Sequence, residues 1–152
     1  MSLAEFHALI AAPATLKILV TTDEDGTPRP AVSDFIAPGD GGTLLYFEPL
    51  ESSKTQRNLT RAIWFDRPVS VVVVAADGRR FTARGRPQRA VIAGPRFQAH
   101  YAAFRADRGD VDLAAVWVID VTGVEGLDLG ADIATEERER PFFRHLDRIA
   151  RA

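Results

Sequence analysis

The run from Val69 to Ala76, V-S-V-V-V-V-A-A, followed at once by Asp77-Gly78, limits the fold more than any other feature of the chain. β-Branched residues pack well on a pleated surface and lose side-chain freedom in a helix, so the run reads as a strand buried on both faces or nearly so. Asp-Gly is a strong two-residue hairpin signal, because such a turn needs positive φ. The chain must then return antiparallel. The returning segment, Arg79 to Ile92, alternates: Phe81, Ala83 and Gly85 fall on one face, Arg80, Thr82, Arg84 and Arg86 on the other.

Other stretches repeat the pattern. Leu16 to Thr22 is an aliphatic strand, Asp23-Glu24-Asp25-Gly26 a turn, and Thr27 to Ile36 the returning strand. Pro28 and Pro30 place the start of that strand at an edge or rim, since proline cannot donate to a ladder. Ala114 to Val124, containing Trp117, is a last long strand. Ser2 and Glu5 form a capping box ahead of Phe6, Leu9 and Ile10, which predicts a short helix limited by Pro13. Gly94-Pro95 opens a helix carrying Phe97, Tyr101 and Phe104 and ending near Gly109. Phe142, Phe143, Leu146, Ile149 and Ala150 share one side of a C-terminal helix, with Pro141 at its first turn. The sum is mainly β: a six-stranded antiparallel sheet, flanked by helices and tending to close into a small barrel, because closure removes exposed edges. No repeat or linker divides residues 1–152, which read as one domain.

Between these hairpins lies the stretch with chemistry in it, Thr43 to Leu59, T-L-L-Y-F-E-P-L-E-S-S-K-T-Q-R-N-L. Leu44 to Phe47 is a short strand ended by Glu48, Pro49 and Leu50. Ser53 and Gln56 make an S-x-x-Q capping box, so a helix begins with Lys54 in its first turn. Free N–H groups, the hydroxyls of Ser52 and Ser53, and an ammonium are the parts of a phosphate site. They are also the parts of an ordinary helix cap, and capping boxes are common.

Composition narrows the function classes. A net charge of -2 gives no global positive field for nucleic acid. The run Arg79, Arg80, Arg84, Arg86, Arg89 is most simply the solvated face of a strand. There is no cysteine, which removes thiolate and disulfide chemistry and is compatible with a reducing, cytoplasmic setting. His7, His100 and His145 are scattered, so no metal site is expected. No signal-peptide pattern opens the chain, and no apolar run approaches the roughly 20 residues that span a bilayer.

The order of the motifs carries a resemblance. D-E-D-G-T-P, a strand, L-L-Y-F-E-P-L-E-S-S-K-x-x-x-N-L, a Val-rich strand, a hairpin and a basic strand together resemble the FMN-binding split barrels, relatives of pyridoxamine-5'-phosphate oxidase. The similarity runs from Thr15 to Leu127. It implies a homodimer with FMN in grooves between the subunits, and an FMN-dependent oxidoreductase. Val32, Ser33 and Asp34 match the strand whose backbone lies along the flavin ring, and Phe47 and Glu48 an aromatic–polar pair at the end of the next strand. Ser52, Ser53 and Lys54 stand where the oxidase has a Ser-Arg-Lys triplet for the phosphate. Ser53 removes one cation from it. Arg80, where the oxidase carries a glutamine, is the candidate to restore that charge, and Asn58 sits one turn after Lys54 to brace the loop. An acidic Glu48 in a pocket for an anionic cofactor is a second departure. The oxidase's basic, tryptophan-containing C-terminal signature is missing, so its own reaction is not expected.

A second function class stays open: a non-catalytic or sensory binder of flavin, deazaflavin or haem on the same fold. His145 is a candidate axial ligand, though more simply a surface residue. One of His100 and Tyr101, and also Trp117, read as core or interface residues. Asp110, Asp112, Glu136 and Glu139 read as solvated loop and helix-start charges.

Overall fold

The computed structural model describes residues 1–141. In chain order these form α1 (Leu3–Ala11), β1 (Leu16–Thr22), β2 (Pro28–Val32), β3 (Ile36–Pro38), β4 (Thr43–Glu48), α2 (Lys54–Trp64), β5 (Val69–Val74), β6 (Arg80–Val91), α3 (Gly94–Arg108), β7 (Ala115–Gly126) and α4 (Leu129–Glu139). The strands make one antiparallel sheet in the order β2-β1-β5-β6-β7-β4-β3. It is curled into a half-barrel.

The strand count is seven, not six, because Thr27 to Ile36 is two strands. β2 pairs with β1 and β3 with β4, so consecutive strands stand at opposite edges of the sheet. Ser33 to Phe35 bridges them. The Ser33 N–H donates to the Lys17 carbonyl on β1 at 3.0 Å, and the Phe47 N–H on β4 donates to the Phe35 carbonyl at 2.8 Å. The Ser33 hydroxyl accepts the Phe35 N–H at 3.0 Å, a local turn that competes with continued pairing. The curl is what lets so short a link join two edges.

One core fills the concave side. Leu19, Leu44, Tyr46, Val71, Val73, Phe81, Trp117 and Ile119 meet Phe6 and Ile10 of α1 and Leu59 and Ala62 of α2. A second, smaller core lies on the other face of β4 and β7, where Phe104 of α3 packs with Val116, Leu113, Phe35 and Phe47. β5 buries alternate residues and leaves the others half-exposed, where burial on both faces was expected. The α1 box is complete, with the Glu5 N–H to Ser2 Oγ at 3.2 Å and the Ser2 N–H to Glu5 Oε2 at 2.6 Å. α4 is an element the sequence pattern did not predict, and Glu136 and Glu139 lie toward its end, not at a helix start. The C-terminal helix expected over Phe142 to Ala150, with His145, lies outside the described residues.

Curvature concentrates in β6, whose register with β7 shifts at Arg84/Gly85 and again at Pro87/Arg89. A Cβ at Gly85 would stand 2.6 Å from Ile119 Cγ2 and 3.2 Å from the Asp120 carbonyl oxygen. Gly85→Ala is therefore expected to cost about 1–3 kcal/mol, as overpacking of a tight core does. Urea unfolding checks this; an unchanged midpoint would mean the strands are not this close.

Candidate functional site

β4 alternates, and period two puts Leu44, Tyr46 and Glu48 on its buried face. Glu48 is only 2% exposed. Its Oε2 accepts from the Tyr46 hydroxyl at 2.9 Å and the Ser53 hydroxyl at 2.6 Å, and its Oε1 accepts from the Leu50 N–H at 2.9 Å. Three donors and no acceptor meet the carboxylate, an arrangement that suits the anion. Burial, then the Glu48 charge and hydrogen bond, push the Tyr46 phenol well above its ordinary range, so it stays a donor. Glu48 therefore points inward, into the protein.

The same contact fixes the start of α2. Ser53 is its N-cap, and Ser53 Oγ accepts the Gln56 N–H at 2.9 Å. The hydroxyl thus accepts from the helix and gives its one proton to Glu48. Gln56 does not complete the capping box; its side-chain oxygen accepts the Trp117 indole N–H at 3.1 Å, a buried donor that needs a partner more than the cap does. One turn on, the Asn58 amide donates to Thr21 Oγ1 at 3.0 Å and to Asp23 Oδ1 at 2.7 Å. Asn58 is buried and ties α2 to the end of β1 and to the turn after it.

Above that turn lies a cavity of about 540 Å³ lined by Asp23, Glu24, Asp25, Lys54, Arg57, Asn58 and Arg61. Arg61 pairs with Glu24 at 2.9 Å, and Asp25 accepts the Thr27 N–H at 3.0 Å, the main cause of its lowered pKa. The side chains of Lys54 and Arg57 make no hydrogen bond or ion pair among the described residues, and the Lys54 charge acts on Asp25, helping to lower its pKa. Ser52 is exposed, one residue ahead of the cap.

The other expected residues do not gather here. Asp34 and Phe47 line a separate cavity of about 340 Å³ between α1, β3 and α3, with Lys17, Phe35, His100, Phe104 and Arg108. Phe47 stacks on Phe104 at 5.5 Å and meets the His100 ring edge-on at 5.8 Å. Burial holds the Lys17 ammonium below its ordinary pKa, offset in part by Asp34. Val32 is 70% exposed on the convex face of the sheet, and Ser33 sits in the bridge between β2 and β3. Arg80 lines a third cavity, at the Asp77–Gly78 turn and the start of α4, which it does not share with Lys54.

The residue the motif reading missed is Arg29. It pairs directly with Thr21 across β1 and β2, so both side chains project to the same face, where Thr21 meets Asn58 of α2. Arg29 Nε is buried with no hydrogen-bond partner. Alternation along Arg29, Ala31 and Ser33 was the signal available in the sequence. Among the described residues no group of His, Asp and Glu is arranged to hold a metal ion, and no helix is long and apolar enough to cross a membrane.

By sequence, no family model matches the chain and no curated protein does. By structure, it is similar to an FMN-binding protein from Syntrophomonas wolfei subsp. wolfei, with a TM-score of 0.70, 16% identity, and 84% of this chain and 86% of that one covered. It is also similar to an F420 reductase (TM-score 0.59, 22% identity, 78% and 94% covered). A heme binding protein from Mycobacterium smegmatis matches with a TM-score of 0.59 and 24% identity, over 86% of this chain and 56% of that one. Pyridoxamine 5'-phosphate oxidase-like proteins are further structural neighbours. The fold is the split barrel. In this split barrel, α2 carries its free cations at the rim and a buried carboxylate beneath its first turn.

The geometry separates Ser53 from its neighbour. Ser53→Ala is expected to cost about 1–3 kcal/mol, losing the cap and one donor to a buried carboxylate. Ser52→Ala should stay within about 0.5 kcal/mol of the parent, as an exposed side chain does. Thermal melts of both variants test this; a Ser52→Ala loss as large as that of Ser53→Ala would move the cap.

Proposed function

We propose that the chain binds a phosphorylated flavin, FMN, with its phosphate at the first turn of α2. The observation that carries the reading is the orphaned Arg29 Nε on the face of the sheet where Thr21 meets α2, together with Lys54 in that helix's first turn, whose ammonium makes no hydrogen bond or ion pair. A buried guanidinium N–H without a partner is costly, and a phosphate oxygen supplies the acceptor it lacks. Arg29 also provides the cation that Ser53 removes from the triplet, the part first assigned to Arg80. The structural likeness to an FMN-binding protein supports the reading.

FMN, when bound, supplies the redox chemistry, and we propose an oxidoreductase on that ground. The chain's part is to hold and orient it. Lys54, Arg29 and the open N–H groups of the α2 first turn bind the phosphate, while Asn58 keeps the helix in register with β1.

A homodimer belongs to the same proposal. On the convex face, Val32, Ile18 and Val72 stand side by side across β2, β1 and β5, and Val20 and Val74 flank them, none fully buried. A contiguous apolar sheet face of this kind marks an interface, and a second copy in a reducing cytoplasm is the occupant proposed. The other reading is a haem binder. It rests on His100, half-buried beside Phe47 and Phe104 in the cavity between α1, β3 and α3, next to a structural likeness to a heme binding protein.

Titration of the purified protein with FMN, followed by quenching of flavin fluorescence, tests the main reading; a Soret band with haemin and no flavin binding would favour the other. Lys54→Ala should weaken FMN by about 1.5–3 kcal/mol, the range for a charge-assisted hydrogen bond. Its unfolding midpoint should hardly move, because an exposed lysine adds little stability. Equal affinity in parent and variant places the phosphate elsewhere. Light scattering at micromolar concentration should give twice the chain mass; a monomer would leave the convex face unexplained.

A further inference from the structure

We propose that Glu48 determines how strongly the α2 site prefers a phosphorylated flavin over an unphosphorylated one, and that it lowers this preference. The inference rests on the flavin reading but concerns a residue that touches no ligand. Glu48 Oε2 lies 2.6 Å from Ser53 Oγ, which in turn lies 2.9 Å from the Gln56 N–H in the first turn of α2. The carboxylate is thus one hydrogen bond from the helix N-terminus. A helix N-terminus favours one negative charge, and here the chain supplies that charge itself. Glu48 is 2% exposed, so little solvent screens it from a second anion placed on the same turn.

A second effect points the same way. Ser53 has one hydroxyl proton, and Glu48 takes it. The hydroxyl accepts the Gln56 N–H with its lone pair, so nothing remains to donate to a phosphate. Glutamine at position 48 has nearly the same shape. Its oxygen accepts the Leu50 N–H as before, and its amide N–H groups face the hydroxyls of Tyr46 and Ser53, which become acceptors. That removes the charge and frees the Ser53 proton for a ligand. Glu48 is therefore a positioning residue that also sets charge selectivity, and its polar contacts hold the first turn of α2 whether or not a ligand is present.

The test compares FMN with riboflavin, which has the same ring and no phosphate, on the full chain and on Glu48→Gln. The readout is the ratio of the riboflavin Kd to the FMN Kd, from fluorescence quenching. Glu48→Gln is expected to raise that ratio about tenfold, the change that about 1.4 kcal/mol produces. A ratio within twofold of the parent, including equal weakening of both flavins, would show a purely structural role and overturn the proposal. If Glu48→Gln does not fold, Ser53→Ala decides. Its ratio should not fall below the parent's, since the Ser53 proton is already committed to Glu48 and gives the phosphate nothing to lose; a tenfold fall would show that Ser53 serves the phosphate and that Glu48 does not withhold it. If neither flavin binds parent or variant, the flavin reading fails by itself. Melting in inorganic phosphate then tests Glu48 alone: a larger rise in melting temperature for Glu48→Gln than for the parent supports the proposal, and equal rises refute it.

Discussion

A single buried carboxylate holds the two halves of this site together. Glu48 ends β4, and its three donors come from β4 itself, from the link to α2, and from the α2 cap. Burying a carboxylate costs several kcal/mol unless donors replace the lost water, and these three do so. The backbone contributes as well, since the Glu48 carbonyl accepts the Ala114 N–H at 2.8 Å just before β7. The direction in which α2 leaves the sheet follows from this arrangement. With its first turn fixed, Gln56 reaches Trp117, Asn58 reaches Thr21, and Leu59 enters the core at the right height.

The consequence for function is a helix whose inner side is fully committed and whose outer side is not. Ser53, Gln56 and Asn58 all bond to the protein, whereas the side chains of Lys54 and Arg57 face a cavity without a hydrogen bond or ion pair of their own. Arg29, on the edge strand β2, faces the side of the sheet on which Thr21 meets Asn58, and its Nε has no partner there. Cations around a helix N-terminus suit a phosphate. The buried anion under that turn opposes one.

Much of the fold was legible because the strongest local signals agreed with the tertiary structure. The β-branched run at Val69 and the Asp77–Gly78 turn gave β5 paired with β6, and Ser53 marked the start of α2 one residue ahead of Lys54. The split of Thr27 to Ile36 into β2 and β3 was not legible, because it follows from closure of the sheet and not from anything local. The same holds for Gln56, which pattern assigns to a capping box and tertiary contact assigns to Trp117. The inward turn of Glu48 was available from alternation with Leu44 and Tyr46, which share its face of β4. Arg29 lay between two prolines that marked a rim, and only the register with Thr21 shows which way it faces.

The most direct measurement is a crystal structure of the protein with FMN. The account predicts a phosphate within hydrogen-bond distance of Lys54 Nζ and of the Arg29 guanidinium, over the first turn of α2, with the Glu48 carboxylate still bonded to Tyr46 and Ser53 and not touching the ligand. A phosphate held instead at Arg80 beside the Asp77–Gly78 turn, or a flavin seated between α1 and α3, would contradict it.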